Sequence, residues 1–122
     1  MIMVAEAPDL ASPAAAANAT IRHLNDQLRI SGIGGRVVAT AGIAALPHRE
    51  FTVIMTAVAQ FDDFTPDNDP HAEHDCATLS VAGHDVIWKV DYYDRSLTRH
   101  SPDPADPAVT TRVLTIMLAA DY

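Results

Sequence analysis

The run Phe61–Asp75, FDDFTPDNDPHAEHD, carries six carboxylates and two histidines but no Lys or Arg. A segment this polar, punctuated by Pro66 and Pro70, cannot be a core strand or helix and must run over the surface. Phe61 and Phe64 bracket its first turn and are expected to pin that turn to a core. Such a loop suits either a negatively charged recognition surface or a cation site.

Charge is segregated around this loop. Residues 62–106 hold eleven of the sixteen acids and three of the eight bases, so they carry the whole net charge of −8. The remaining residues balance at five acids against five bases. The electrostatic field therefore originates in one contiguous segment. Direct nucleic-acid binding is disfavoured, because phosphate contacts need clustered cations and none is present. A plainer reading of the acidity is solubility alone.

With 122 residues and 48% of them apolar, the chain is expected to form one globular domain with its own core. The expected division is a flexible arm over 1–12 and a single domain over 13–122. The start, MIMVAEAPDLASPAAAA, lacks the basic and continuous apolar regions of a signal peptide. No stretch reaches the roughly 18 apolar residues of a membrane span. The single Cys76 excludes an intramolecular disulfide and fits a reducing cytoplasm.

Local patterns predict the elements. Ser12-Pro13 offers an N-cap followed by Pro at the first helical position. Ala17, Ile21, Leu24 and Leu28 recur at helical spacing until Gly32, which predicts a helix over 14–30. Arg36–Ala41 reads as a strand. Over 47–60, Phe51, Ile54, Met55 and Val58 favour a helix despite the β-branched content. Ala77, Leu79 and Val81 alternate with Thr78, Ser80 and Ala82, then a turn at Gly83-His84 leads into 85–93. There Val86, Trp88, Val90 and Tyr92 share a core face, and Tyr93 points towards solvent. Asp106-Pro107 resembles a helix start, and Val109, Val113, Ile116, Met117 and Ala120 form a stripe over 106–120. The expected class is α+β, in the order α-β-α-β-β-α, with a small antiparallel sheet and helices mainly on one face.

Three runs are long and unusual: FDDFTPDNDPHAEHD, WKVDYYDR and SPDPADPAVTTRVLTIMLA. Together they resemble a small bacterial domain family of unknown function whose members are often encoded on plasmids and prophages. The resemblance implies an accessory protein rather than a housekeeping enzyme, and it carries over no catalytic residue or cofactor.

The chemical candidates begin with His71 and His74. These, with Asp75, have ligand types suited to a divalent metal, although H-x-x-H outside a helix does not hold its rings together. The more ordinary use is structural, with His71, Glu73, His74 and Asp75 hydrogen-bonding loop amides and ordering the approach to the hairpin. An EF-hand is excluded, since Pro70 stands where the loop needs Gly. A nuclease centre at Asp75 and Lys89 lacks its second carboxylate, because Ile87 occupies that position. Lys89 and Asp91 read better as a charge pair on the sheet. Ser80, Ser101 and Cys76 have no nucleophile context, and Gly32-x-Gly34-Gly35 follows a helix rather than a strand.

Two functions remain. The first is a non-enzymatic interaction protein, needing no cofactor, that binds a basic protein surface, in particular that of a nucleic-acid-binding complex. Its expected contact residues are Asp62, Asp63, Asp67, Asp69, Glu73, Asp91, Tyr93 and Asp94. In a mobile-element setting the partner would be a restriction or CRISPR complex, engaged by a DNA-mimicking surface. The second is a small metal-dependent hydrolase using His71, His74 and Asp75.

Overall fold

The computed structural model describes residues 12–122, so the arm expected over 1–12 lies, apart from Ser12, outside the described residues. Helix α1 spans Pro13–Ser31. The Ser12 hydroxyl accepts from Ala15 N–H at 3.1 Å, and Pro13 needs no N–H there. Gly32 ends α1 in the left-handed region at φ 71°, donating its N–H to Leu28. Strand β1 follows at Gly35–Ala39. Its first position must be Gly, because a Cβ there would come within 2.6 Å of the Arg112 carbonyl oxygen.

The strand expected over 36–41 stops at Ala39 because Ala41–Ala44 turns into a short helix, α2. Helix α3, His48–Ala59, settles the ambiguous segment in favour of the helical reading. Its Ile54 and Val58 are buried, while Thr52, Val53 and Thr56 are exposed. After the acidic loop come β2 (Cys76–Val81) and β3 (His84–Tyr93). They pair antiparallel through a two-residue turn in which Ala82 and Gly83 have φ values of 54° and 78°. Val86, Trp88 and Val90 are buried, as the alternation predicts.

The helix expected over 106–120 is instead strand β4, Thr111–Leu118, closed by a 3-10 turn at Ala119–Asp121. Asp106 does cap, but it caps a turn: its carboxylate accepts from Ala108 N–H at 2.9 Å and its carbonyl from Val109 N–H. Thr111, Val113, Thr115 and Ile116 are β-branched and sit well on a pleated surface. Strand β4 lies between β1 and β3, parallel to the first and antiparallel to the second. The sheet therefore has four strands in the order β1-β4-β3-β2, not the all-antiparallel three expected. The α+β class holds, with the order α-β-α-α-β-β-β.

The core lies between one face of the sheet and the helices. Leu28, Ile43, Ile54 and Val58 meet Ala77, Val86, Trp88, Val90, Leu114 and Ile116. Residues paired across strands share a face, so Arg36, Val38, Ile87, Lys89, Asp91, Val113 and Thr115 lie on the other side of the sheet. Glu50 in the first turn of α3 bonds His84 at the hairpin turn at 2.6 Å. None of the helices among the described residues is long and apolar enough to cross a membrane.

Candidate protein-interaction surface

The acidic loop leaves α3 and is anchored by its aromatics. Phe61 and Phe64 pack edge to face at 5.0 Å, and both rings meet Trp88 edge-on at 5.9 and 6.1 Å. The buried guanidinium of Arg29 lies over Phe64 and Trp88 at 5.4 and 5.2 Å. From there it donates to the carbonyls of Val58, Ala59 and Phe61 at 3.1, 3.1 and 2.8 Å. These carbonyls lie at and just beyond the end of α3, so one cation on α1 caps α3 and fixes the start of the loop.

Side-chain hydrogen bonds then shape the loop. Thr65 N–H donates to Asn68 Oδ1 at 2.8 Å, Asn68 N–H returns to Thr65 Oγ1, and Asn68 Nδ2 reaches the Asp63 carbonyl. Asp69 turns inward to 7% exposure and accepts from His74 N–H at 3.1 Å. The His74 ring stacks on Phe64 with centroids 3.7 Å apart and bonds Asp26 of α1 through Nδ1 at 2.8 Å. Its Nε2 lies 3.6 Å from Asp69. Ala72 and His74 both have positive φ, 54° and 53°, which gives the chain its sharp path towards β2. Arg22 donates to the Ala72 carbonyl and Asn25 to the Glu73 carbonyl, at 2.9 and 3.0 Å.

This architecture sorts the expected contact residues. Asp62, Asp63 and Asp67 are exposed, and their carboxylates have no partner among the described residues. Asp69 is spent on His74. Glu73 accepts from the Tyr92 hydroxyl at 3.0 Å. Asp91 pairs with Lys89 as expected for the sheet. Asp94 accepts from Ser96 Oγ, Thr98 N–H and Arg99 N–H, and these bonds, Ser96 foremost, hold its carboxyl below the usual carboxylate range. Tyr93 is half-buried and bridges to His100. Asp75, Asp91, Tyr93 and His100 line a separate cleft of about 320 Å³.

His71 is exposed, whereas His74 is tied to Asp26 and Phe64. Asp75 continues the sheet by accepting Val90 N–H on its carbonyl at 2.7 Å. Among the described residues, no three His, Cys, Asp or Glu side chains are grouped to hold a metal ion. The His74 ring, bonded to Asp26 and stacked on Phe64, joins the loop to α1.

The sequence reading passed over Asn25, Asp26, Arg29 and Arg112. Arg112 of β4 is 2% exposed, donates Nε–H to Asn25 Oδ1 at 3.0 Å and a second N–H to the Pro104 carbonyl, and lies over the Tyr92 ring. Asn25 Nδ2 also reaches the Tyr92 hydroxyl at 2.7 Å. Burial, ahead of the nearby Glu73 charge, pushes the Tyr92 phenol well above its usual range. A signal was present: Asn25 falls four residues after Ile21 and three before Leu28, on the apolar stripe of α1.

Residues 39–121 match the model of a family described as a protein of unknown function, DUF3768. No curated protein matches the chain, and no solved structure matches it. The matched span holds α2, α3, the acidic loop, the hairpin and β4, whereas Asn25, Asp26 and Arg29, which order the loop, come from α1 outside it. The span exceeds half of the chain, and the protein belongs to the DUF3768 family.

Proposed function

We propose that this protein is a non-enzymatic interaction module whose acidic loop occupies a basic, nucleic-acid-binding surface on a partner. The observation that carries the reading is the division within the loop. Asp62, Asp63 and Asp67 stand exposed and, among the described residues, unpaired, while Arg29, Asn68, Phe64 and His74 hold the backbone beneath them. A loop held by contacts that leave these three carboxylates unengaged presents its charges at a reduced ordering cost on binding. Carboxylates so presented speed encounter with a cationic groove and compete with phosphates for it. For a protein carried on a mobile element, the partner is a host defence complex of the restriction or CRISPR type, and the effect is inhibition.

The test is capture from host lysate on the immobilised protein, followed by competition with duplex DNA. The expected partner is retained at low salt, released at high salt and displaced by DNA. Combined replacement of Asp62, Asp63 and Asp67 by Asn should weaken capture at least tenfold, mainly through slower association. A captured protein that DNA does not displace, or one held equally by the triple variant, would refute the proposal.

A further inference from the structure

The edge strand β1 has one side paired to β4 and the other open among the described residues. Thr40 N–H bonds the Ile116 carbonyl, so residues 36, 38 and 40 point their backbone groups at β4. Gly35, Val37 and Ala39 consequently point theirs outward, where no partner exists among the described residues. The strand has neither Pro nor Lys, and its one charged residue is Arg36. Ile33, Val37 and Val38 are 57, 42 and 43% exposed along it.

We propose that this edge pairs with the same edge of a second copy, antiparallel across a two-fold axis at Val37, to give a continuous sheet of two four-stranded halves. Three features favour a second copy over any other strand. The open groups are symmetric about Val37: the Val37 residues exchange two hydrogen bonds, and each Gly35 exchanges two with the partner's Ala39. Every outward N–H and C=O of both strands is then satisfied. The side chains also suit themselves, since Val37 meets its own copy, and Arg36 faces Val38 rather than a second Arg36. Finally, this edge is free of self-repulsion. Residues 30–49 contain no acid, and the whole −8 lies in 62–106. The opposite edge, β2, emerges directly from the acidic loop, and two copies meeting there would oppose carboxylates. Pairing through β1 leaves the two acidic loops at the far ends of the assembly. The inference stands whether or not those loops bind a basic partner.

The experiment is light scattering and sedimentation of the full chain over a concentration series. A dimer of twice the 13.1 kDa chain mass is expected, with dissociation in the roughly micromolar range for so short an edge. Val37→Pro removes an outward N–H while leaving the bonds to β4, and should weaken association at least tenfold with the helix and sheet content retained. Should that variant fail to fold, Val37→Lys places two like charges opposite each other on the axis and should have the same effect on association. Register is tested at position 38. Val38→Glu sets a carboxylate opposite the second copy's Arg36 and should tighten association by about threefold, whereas Val38→Lys should weaken it. A monomer at all concentrations overturns the proposal, as does a dimer that Val37→Lys leaves intact. Equal effects of the Glu and Lys replacements at Val38 overturn it too. So does a dimer that appears only after residues 1–11 are removed, which would make that segment the native occupant of the edge.

Discussion

Arg112 holds a charge in the core with an amide, a carbonyl and an aromatic face as its partners. Burial lowers the pKa of such a cation, and of the two hydrogen bonds that offset the cost one goes to Asn25 and the other to the Pro104 carbonyl. Asn25→Leu preserves shape but strips the acceptor from Arg112 and the donor from Tyr92 and the Glu73 carbonyl. It should cost about 3 kcal/mol in urea unfolding, several times the cost of replacing an exposed residue of α1 such as His23. Asp75 offers a pH-dependent counterpart. Its carboxyl is pushed above the ordinary 3.8, chiefly by burial and further by Asp69 and Asp91. A raised folded pKa means that the folded state binds the proton more tightly. This group therefore costs the fold stability at neutral pH, and the cost disappears as pH falls through the raised value towards 3.8. Asp75→Asn should accordingly raise the melting temperature at pH 7, and its advantage should vanish at pH 3.8 or below. A variant less stable at pH 7 would mean that the carboxylate holds a contact the side chain otherwise lacks. These residues were the least legible in the sequence, because a buried Arg and Asn look ordinary until the strand or helix that turns them inward is known.

The hairpin β2–β3 was legible because its two faces differ in polarity, so period-two alternation stands out. Strand β4 was not, for a reason that lies in its position. As a central strand it has Leu114 and Ile116 on the core face and Val113 and Met117 on the other, so apolar residues occur on both sides and the alternation is lost. The one polar residue on its core face, Arg112, removed the remaining clue. Asp106-Pro107 then completed a false helix start, since an Asp-Pro pair caps a turn as well as it caps a helix. The structure ties these elements together at Trp88, which is fully buried and lies across from both Ala77 and Ile116. Trp88→Ala should cost about 3–5 kcal/mol, and the acidic loop should loosen with it because Phe61 and Phe64 lose the ring they pack on. Unfolding monitored by circular dichroism gives the first quantity, and hydrogen exchange over 61–75 gives the second. Arg29 joins helix to helix in the same way. Lys at this position has one charged centre in place of a planar fork, so it cannot cap three carbonyls, reach Asp26 and lie flat on two rings. Arg29→Lys should therefore lose about 2 kcal/mol in the same measurement despite keeping its charge.

At the scale of the molecule, the charge segregation visible in the sequence survives folding, but the loop divides its carboxylates by task. Asp69 and Glu73 are turned to His74 and Tyr92, which no spacing rule distinguishes from the exposed Asp62, Asp63 and Asp67. That division has a measurable signature in salt. Exposed carboxylates crowded on one fixed loop repel each other across water, and ions screen that repulsion with a Debye length of about 8 Å at physiological strength. The folded state suffers more from it than the unfolded chain, where the same charges spread apart. Melting temperature should therefore rise between about 0.01 and 0.3 M NaCl, a range over which screening shortens from far beyond the loop to within it. Replacing Asp62, Asp63 and Asp67 together by Asn should raise the low-salt melting temperature and flatten the dependence, because the unpaired repulsion is gone. Asp69→Asn should do the reverse at every salt concentration, lowering stability by about 1–2 kcal/mol as the His74 amide exchanges a charged acceptor for a neutral one. If the triple variant instead melts lower than the wild type, the three carboxylates hold the fold, and the loop is a structural brace rather than a presented surface.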